Sequence, residues 1–252
     1  MLVSHSHRFI YLKTAKTAGT SIEAYFEPYC RPENSGPVQH HCDQHESTAG
    51  IVGYRGPNRT GKKWFNHMPA SAVRRHVGEE IWSSYFKFCA VRNPWQKAIS
   101  AFAFQKHKDG TSMPQPTLAD RIRHPLHTSK QLLFLCWLQT GRQPIDKDIY
   151  APDGTFFVDG IIRHECLEND MDAICQHLGL PWEVQKMDSH KMGIRPPGMT
   201  AACMVRAPAD RLIRDSYQFE IDTFNYSDSH SKGEIPADLQ FSSHSFSDRS
   251  PR

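Results

Sequence analysis

A segment rich in lysine and threonine at residues 13–21, KTAKTAGTS, contains the residue types that bind phosphate groups. The apolar, β-prone residues 8–12 precede it and a helical segment begins near its end, so a turn between a strand and a helix is predicted. At a helix N-terminus, backbone N–H groups and the helix dipole both favour an anion. Gly19 permits close approach of the backbone, and Lys16 supplies a positive charge. The alternative interpretation is an ordinary turn in which a hydroxyl side chain caps the helix.

A second segment with the same potential is RNPWQKAIS, which follows the apolar run at residues 85–91. Arg92 is able to hold a phosphate through two parallel hydrogen bonds. Ser100 lies about two helical turns further on, so it is predicted to face the same side as the early helical residues. Pro94 suits the first turn of that helix. Alternatively, Arg92 forms a surface ion pair and Ser100 is a small packing residue.

The elements that must position these two segments alternate along the chain. Strands are predicted at residues 8–12, 85–91 and 156–163, and helices at residues 21–26, 69–77, 95–104, 130–141, 167–180 and 207–226. Such alternation predicts a parallel sheet with helices on both faces. Ligands of such sheets bind at the carboxyl ends of the strands, which is where both segments begin.

The length of 252 residues suits one α/β domain, which is predicted to cover residues 1–226 with insertions at about 27–66 and 105–128. Residues 227–252 are rich in serine and polar, and we expect them to be disordered. The net charge of +3 does not indicate a nucleic-acid partner. The chain contains neither a membrane-spanning apolar run nor a signal-peptide pattern, so we expect a soluble, cytoplasmic protein.

Together the two segments resemble the motifs of sulfotransferases that use 3′-phosphoadenosine 5′-phosphosulfate (PAPS). KTAGTS is similar to their 5′-phosphosulfate loop, and VRNPWQKAIS is similar to their 3′-phosphate motif R-N-P-x-x-R-x-x-S. The group that the chain resembles most is the carbohydrate type, as in the glycosaminoglycan 2-O and 4-O sulfotransferases. The resemblance implies a three-layer fold like that of P-loop NTPases, with a central parallel sheet flanked by helices. Two positions depart from the pattern: Ala15 stands where proline is usual, and Lys97 where arginine is usual.

The resemblance also implies a role for each matching residue. Lys16 would neutralise the leaving phosphate oxygen, and the 5′-phosphosulfate would be held by Lys16, Thr17, Ala18, Gly19, Thr20 and Ser21. Arg92 and Ser100 would hold the 3′-phosphate. A basic loop containing Lys191 and Arg195 would cover the adenine and the 3′-phosphate. PAPS would be the donor and PAP, its desulfated form, the product, with no metal required.

An acceptor hydroxyl needs a general base, and the candidate is His67 in WFNHMP. By resemblance, a histidine just before a helix between the two phosphate motifs performs this role, and the ordinary pKa of imidazole suits it. Glu23 is the alternative base, and a capping or surface role for His67 stays open. The acceptor is predicted to be a carbohydrate or a glycosylated small molecule, while its identity and the oligomeric state are not predicted.

The sequence supports three other interpretations less well. The loop at residues 40–46 collects histidine, cysteine and acidic residues, but its spacing matches no standard zinc pattern, so no metal site is predicted. A small-molecule kinase of related fold is disfavoured because the motif G-x-x-x-x-G-K-[ST] is absent. A nucleotide-binding module without catalysis would not need Lys16 or His67, and both are present.

Overall fold

The computed structural model describes residues 1–39, 41–109, 112–187 and 195–239. The chain forms two compact units. The first unit comprises Met1–Val91, Asp146–His190 and Ile235–Arg252, and the second comprises Arg92–Ile145 and Lys191–Glu234. The predicted single domain over residues 1–226 stays a prediction. Residues 227–239 of the predicted tail are described and end in a 3₁₀ turn, Ala237–Leu239, whose Leu239 is buried.

The first unit contains a mixed sheet with the strand order β3-β4-β1-β2-β5-β6. Its strands are β1 Leu2–Ser4, β2 Phe9–Leu12, β3 His45–Glu46, β4 Gly50–Val52, β5 Phe86–Val91 and β6 Gly160–Arg163. Strands β2, β5 and β6 are parallel, whereas β1 pairs antiparallel with both β2 and β4, and β3 pairs antiparallel with β4. The α/β class is therefore confirmed, but the sheet is mixed where a wholly parallel sheet was predicted.

The α-helices range from 4 to 15 residues in length. In chain order they are α1 Gly19–Phe26, α2 Ala70–Val77, α3 Glu79–Ser84, α4 Pro94–Lys108, α5 Leu118–Arg123, α6 Ser129–Gln139, α7 Lys147–Tyr150, α8 Leu167–Leu178, α9 Ala201–Met204, α10 Ala207–Ser216 and α11 Gln218–Thr223. Within the described ranges, none of them is long and apolar enough to cross a membrane.

One face of the sheet packs against α1 and α8. Phe9 and Phe88 of adjacent strands contact Phe26 of α1, with ring centroids 5.5 and 5.0 Å from that of Phe26. Met171 and Ile174 of α8 are fully buried in the same cluster. The amphipathic pattern of residues 167–180 predicts this packing, and Gly179 ends α8 in the left-handed conformation that favours glycine.

The second unit is helical in its described part. Phe102 of α4 lies against Phe134 and Trp137 of α6, with ring centroids 5.2 and 5.7 Å apart. Helix α10 packs against both α4 and α6. The indole N–H of Trp95 donates to Asp210 at 2.6 Å, which ties the start of α4 to α10. These contacts fix the position of the first turn of α4, which follows Arg92 in the chain.

Two sequence predictions are wrong in detail. The expected last helix over residues 207–226 is broken at Tyr217, whose φ of −116° lies outside the helical range, so α10 and α11 are separate. The insertion at 27–66, predicted as an irregular loop, contains β3 and β4. Its residues pair with a strand at the N-terminus of the chain, a long-range contact that local patterns do not show.

Candidate active site

The loop between β2 and α1 contains two left-handed residues that are not glycine. Lys16 has a φ of +63° and Ala18 a φ of +62°. The N–H groups of Ser21 and Ile22 both donate to the carbonyl of Ala18, at 2.9 and 3.1 Å, and so begin α1. A Cβ atom on Gly19 would lie 3.0 Å from the carbonyl oxygen of Thr14, so only glycine fits at this position without displacing the loop.

Hydroxyl groups tie this loop to the neighbouring strand. Thr14 donates to the carbonyl of Ala90 in β5, and the hydroxyls of Thr14 and Thr17 are 2.8 Å apart. Thr17 is fully buried, so its side chain bonds within the loop. The role of Thr14 was not predicted, because a hydroxyl residue after a strand gives no signal of a partner 76 residues away.

The start of α1 has the properties of an anion site. Its N-cap residue, Ala18, has only a methyl side chain and makes no capping hydrogen bond. The first amides of a helix have no acceptor one turn earlier, and a ligand or water can satisfy them; in α1 these are the amides of Gly19 and Thr20, since that of Ser21 donates to Ala18. Lys16 and Thr20 lie beside this turn and are partly exposed. The geometry therefore suits a phosphate or sulfate group.

His67 lies beside the same loop. It is left-handed, with a φ of +59°, and its Nδ1 is 3.1 Å from the carbonyl oxygen of Lys13. Because a carbonyl only accepts, Nδ1 must carry the proton in this bond, which leaves the lone pair on Nε2. The neutral ring thus presents Nε2 as a proton acceptor.

The surroundings of His67 keep this neutral form. Part of the surface of His67 faces solvent, and protein atoms exclude water from the rest. This desolvation, followed by the positive charge of Lys13, lowers the pKa of His67 to about 4, although Asp146 acts in the opposite direction. The imidazole is therefore uncharged near neutral pH.

Glu23, the alternative base, belongs to a buried ionic cluster. Its carboxylate contacts the ammonium groups of Lys13 at 2.5 Å and of Met1 at 3.1 Å, and Nε of Arg55 lies 3.4 Å away. Burial alone would raise the pKa of Glu23, but these cations outweigh it and lower the pKa to about 2. A fully buried carboxylate of such low basicity is a poor proton acceptor.

Asp146 is a residue of the site that sequence reasoning missed. Its side chain is buried, and one oxygen accepts the N–H of Ala15 at 2.9 Å. Proline, the residue expected at position 15 by resemblance, could not donate this bond. Nothing near Asp146 in the sequence indicates a partner 131 residues away.

The second predicted motif lies at the start of α4 in the second unit. Asn93 caps this helix by accepting the N–H of Gln96 at 3.3 Å, and Pro94 occupies the first turn, as predicted. The amide of Asn93 donates to the carbonyls of Asp228 and Ser231, at 2.7 and 3.0 Å. These bonds fix the backbone that carries Arg92.

The residues of this motif differ in their exposure to solvent. Arg92 and Ser100 are partly exposed. Lys97 is buried, with its ammonium 5.5 Å from the centroid of the Tyr217 ring. Arg195 donates to the side-chain oxygen of Gln96 at 2.8 Å, so the structure brings this predicted residue to the motif. Lys191 lies outside the described residues.

The loop at residues 40–46 uses its acidic side chains in ion pairs. Asp43 pairs with Lys62 at 2.7 Å and Glu46 with Lys63 at 3.1 Å. Glu46 also accepts the indole N–H of Trp64 at 2.9 Å. His40 lies outside the described residues. In the part of the chain that the structure describes, no three histidine, cysteine or acidic side chains are grouped as metal ligands.

Comparisons with known proteins identify the family of the chain. A family model described as "Sulfotransferase family" matches residues 1–145, which include the loop at 13–21, His67 and the segment from Arg92 to Ser100. An uncharacterized protein of Archaeoglobus fulgidus is 40% identical over 124 residues, which cover 46% of this chain and 87% of that protein. No solved structure matches the chain significantly.

Proposed function

Because the chain belongs to the sulfotransferase family, we propose that it transfers a sulfuryl group from PAPS to a hydroxyl group of an acceptor. The observation that supports this proposal is that a helix start suited to an anion lies beside a histidine held in its Nδ1-protonated form. Nδ1 of His67 donates to the carbonyl of Lys13, at the beginning of the loop that leads to α1. A proton acceptor thus lies beside a site suited to a phosphosulfate.

Each site residue has a role in the proposal. The segment from Thr17 to Ser21 holds the 5′-phosphosulfate, chiefly through the amides of Gly19 and Thr20 at the start of α1, and Lys16 neutralises its charge. The motif assigns the 3′-phosphate to Arg92 and Ser100, and Arg195 supports the motif through Gln96. Lys191 remains part of this proposal on sequence grounds.

The transfer step is an in-line displacement at sulfur. Nε2 of His67 removes the proton from the acceptor hydroxyl while the oxygen of that hydroxyl forms a bond to sulfur. The bond between sulfur and the bridging phosphate oxygen breaks, and that oxygen leaves with the electron pair as part of PAP. Lys16 and the first-turn amides of α1 stabilise the negative charge that develops there. No step in this displacement needs a metal, since the charge is met by residues of the chain.

The acceptor is proposed to be a carbohydrate or a glycosylated small molecule. The support is the resemblance of the two phosphate motifs to carbohydrate sulfotransferases. The same resemblance supports a three-layer arrangement of the P-loop type for the whole chain.

Nucleotide binding provides the test. The affinities of PAP, ADP and ATP are measured by calorimetry on the wild type, on Arg92→Ala and, as a matched control, on Arg121→Ala in the exposed part of α5. We expect PAP to bind more tightly than ADP, and Arg92→Ala to weaken PAP about 10- to 100-fold, the range for hydrogen bonds to a charged group. Equal affinity for all three nucleotides, or no binding at all, would overturn the proposal.

A further inference from the structure

Asp146 is a buried carboxylate that has no role in the transfer step described above. It is 3% exposed, and it immediately precedes α7. Burying a carboxylate is costly unless hydrogen bonds compensate for the lost water. One such bond is the 2.9 Å contact from the N–H of Ala15, the residue just before Lys16. The position of this carboxylate is therefore tied to the phosphate loop.

Helix α7 holds Asp146 firmly. The N–H of Ile149 donates to the backbone carbonyl of Asp146 at 2.8 Å, and the N–H of Phe157 donates to Tyr150 at 2.7 Å. Ile149 and Tyr150 are both buried. Helix α7 also packs against α2, which begins three residues after His67. Asp146 accepts from the N–H of Ala15 and His67 donates to the carbonyl of Lys13, so both side chains are bonded to the same short stretch of the loop.

Charges of both signs act on the His67 ring. Lys13 and the ammonium of Met1 disfavour its protonation, whereas Asp146 and Glu23 favour it. Of the two carboxylates, Asp146 has the larger influence on His67. Glu23 is already surrounded by three cationic groups, which offsets its charge. Asp146 is therefore the main anionic influence on the ring.

We propose that Asp146 is a positioning residue that fixes the phosphate loop through the Ala15 amide and stabilises the imidazolium formed on His67 during transfer. The second part rests on the proposed function, in which His67 takes the acceptor proton. A carboxylate near a histidine base favours the protonated form that the reaction produces. The first part concerns the loop alone.

Two substitutions separate the hydrogen bond from the charge. Asp146→Asn retains an oxygen that accepts the Ala15 amide but removes the charge, whereas Asp146→Ala removes both. Asp148→Asn, on the exposed side of α7, is the matched control. The full chain with isotope-labelled histidine is titrated by NMR, and the His67 signal is assigned with His67→Gln.

We expect the pKa of His67 to fall in both Asp146 variants and to stay unchanged in Asp148→Asn. PAP affinity should fall about fivefold in Asp146→Ala, the effect of one hydrogen bond, and stay near the wild-type value in Asp146→Asn. In sulfuryl transfer, Asp146→Asn should lower kcat while KM for PAPS changes little. Thermal unfolding checks that each variant is folded.

An unchanged His67 titration in folded Asp146→Asn would overturn the charge role. Unchanged PAP affinity in folded Asp146→Ala would overturn the loop role, and if that variant does not fold, the Asp146→Asn titration still decides the charge role. If the wild type binds no PAP, the proposed function fails, yet the NMR titration still tests the influence of Asp146 on His67. The two failures are thus distinguishable.

Discussion

The imidazole of His67 donates from Nδ1 to the backbone carbonyl of Lys13, across 3.1 Å. Since the two residues are 54 positions apart, this bond joins the segment before α2 to the start of the phosphate loop. It fixes both the ring orientation and the tautomer, so Nε2 is the nitrogen that accepts a proton.

Substitution of His67 should separate binding from transfer. In His67→Asn the side-chain N–H still reaches the position of Nδ1, but the proton acceptor is lost. We expect radiolabelled sulfuryl transfer to a panel of carbohydrate hydroxyls to fall about 10²- to 10⁴-fold, the usual contribution of a general base. PAP affinity should stay near that of the wild type. His107→Asn, an exposed histidine of α4, is the control, and near-normal transfer by His67→Asn would show that another group is the base.

The pH dependence of transfer should reflect the lowered pKa of His67. A base acts only when it is deprotonated, so kcat/KM is expected to fall on the acid side near pH 4, where the free imidazole becomes protonated. Bound PAPS adds negative charge, so the acid limb of kcat should lie at a higher pH. Both profiles are measured from about pH 3 to pH 8, so that the range covers both the lowered and the ordinary histidine pKa. An acid limb of kcat/KM near 6.5 would contradict the neutral, desolvated ring.

Gly19→Ala tests the close packing of the phosphate loop. The added Cβ would lie 3.0 Å from the carbonyl oxygen of Thr14, so the loop must shift. We expect a loss of about 1–3 kcal/mol in the free energy of unfolding, together with weaker PAP binding. Gly141→Ala is the control, because its Cβ meets no atom within 4 Å and its cost comes from a φ of +68° alone. A Gly19→Ala protein with unchanged PAP affinity would contradict the role of this loop.

Removal of the Glu23 charge should destabilise the first unit. Glu23→Gln leaves Lys13 and Arg55 without their shared carboxylate, which costs about 3–5 kcal/mol for a buried pair. The Met1 amino group, whose pKa burial lowers to about 6, loses the same partner. The pKa of Glu23 is about 2 in the folded chain and about 4.5 in the unfolded chain. The stabilisation by the Glu23 carboxylate is therefore fully present above pH 4.5 and is lost as the pH falls toward 2. Denaturant unfolding at several pH values measures this.

The exposed Glu33→Gln is the control for that experiment. Glu23→Gln should flatten the decline of stability between about pH 4.5 and 2, while Glu33→Gln should retain it. If the two variants unfolded with the same free energy at neutral pH, the ionic cluster would not stabilise the fold.

The sequence predicted those elements whose signals are local. The loop after β2, the helix start at Pro94 and the end of α8 at Gly179 all depend on neighbouring residues, and the structure has them. The antiparallel strands were missed, because β1, β3 and β4 are only two or three residues long and are too short for an alternating pattern. The break at Tyr217 was also missed, since the apolar spacing continues through it.

The candidate site was predictable to a similar degree. Lys16, Gly19 and Arg92 stand in contiguous motifs that are recognisable in the sequence. Asp146 and the Thr14–Ala90 bond depend on residues distant in the chain, so only the folded structure reveals them. The residue type of Glu23 is compatible with a general base, but its cationic neighbours, which lower its pKa to about 2, are distant in the sequence and become apparent only in the fold.

The left-handed backbone at Lys16 and Ala18 has a kinetic consequence for ligand capture. A non-glycine residue in this conformation costs about 1–2 kcal/mol, and the free energy of folding compensates for it in this loop before any ligand arrives. A ligand that arrives later does not have to order the loop, so less conformational entropy is lost at the encounter. Association is then limited by diffusion and by electrostatic attraction, and it should slow as salt screens Lys16 from an approaching polyanion.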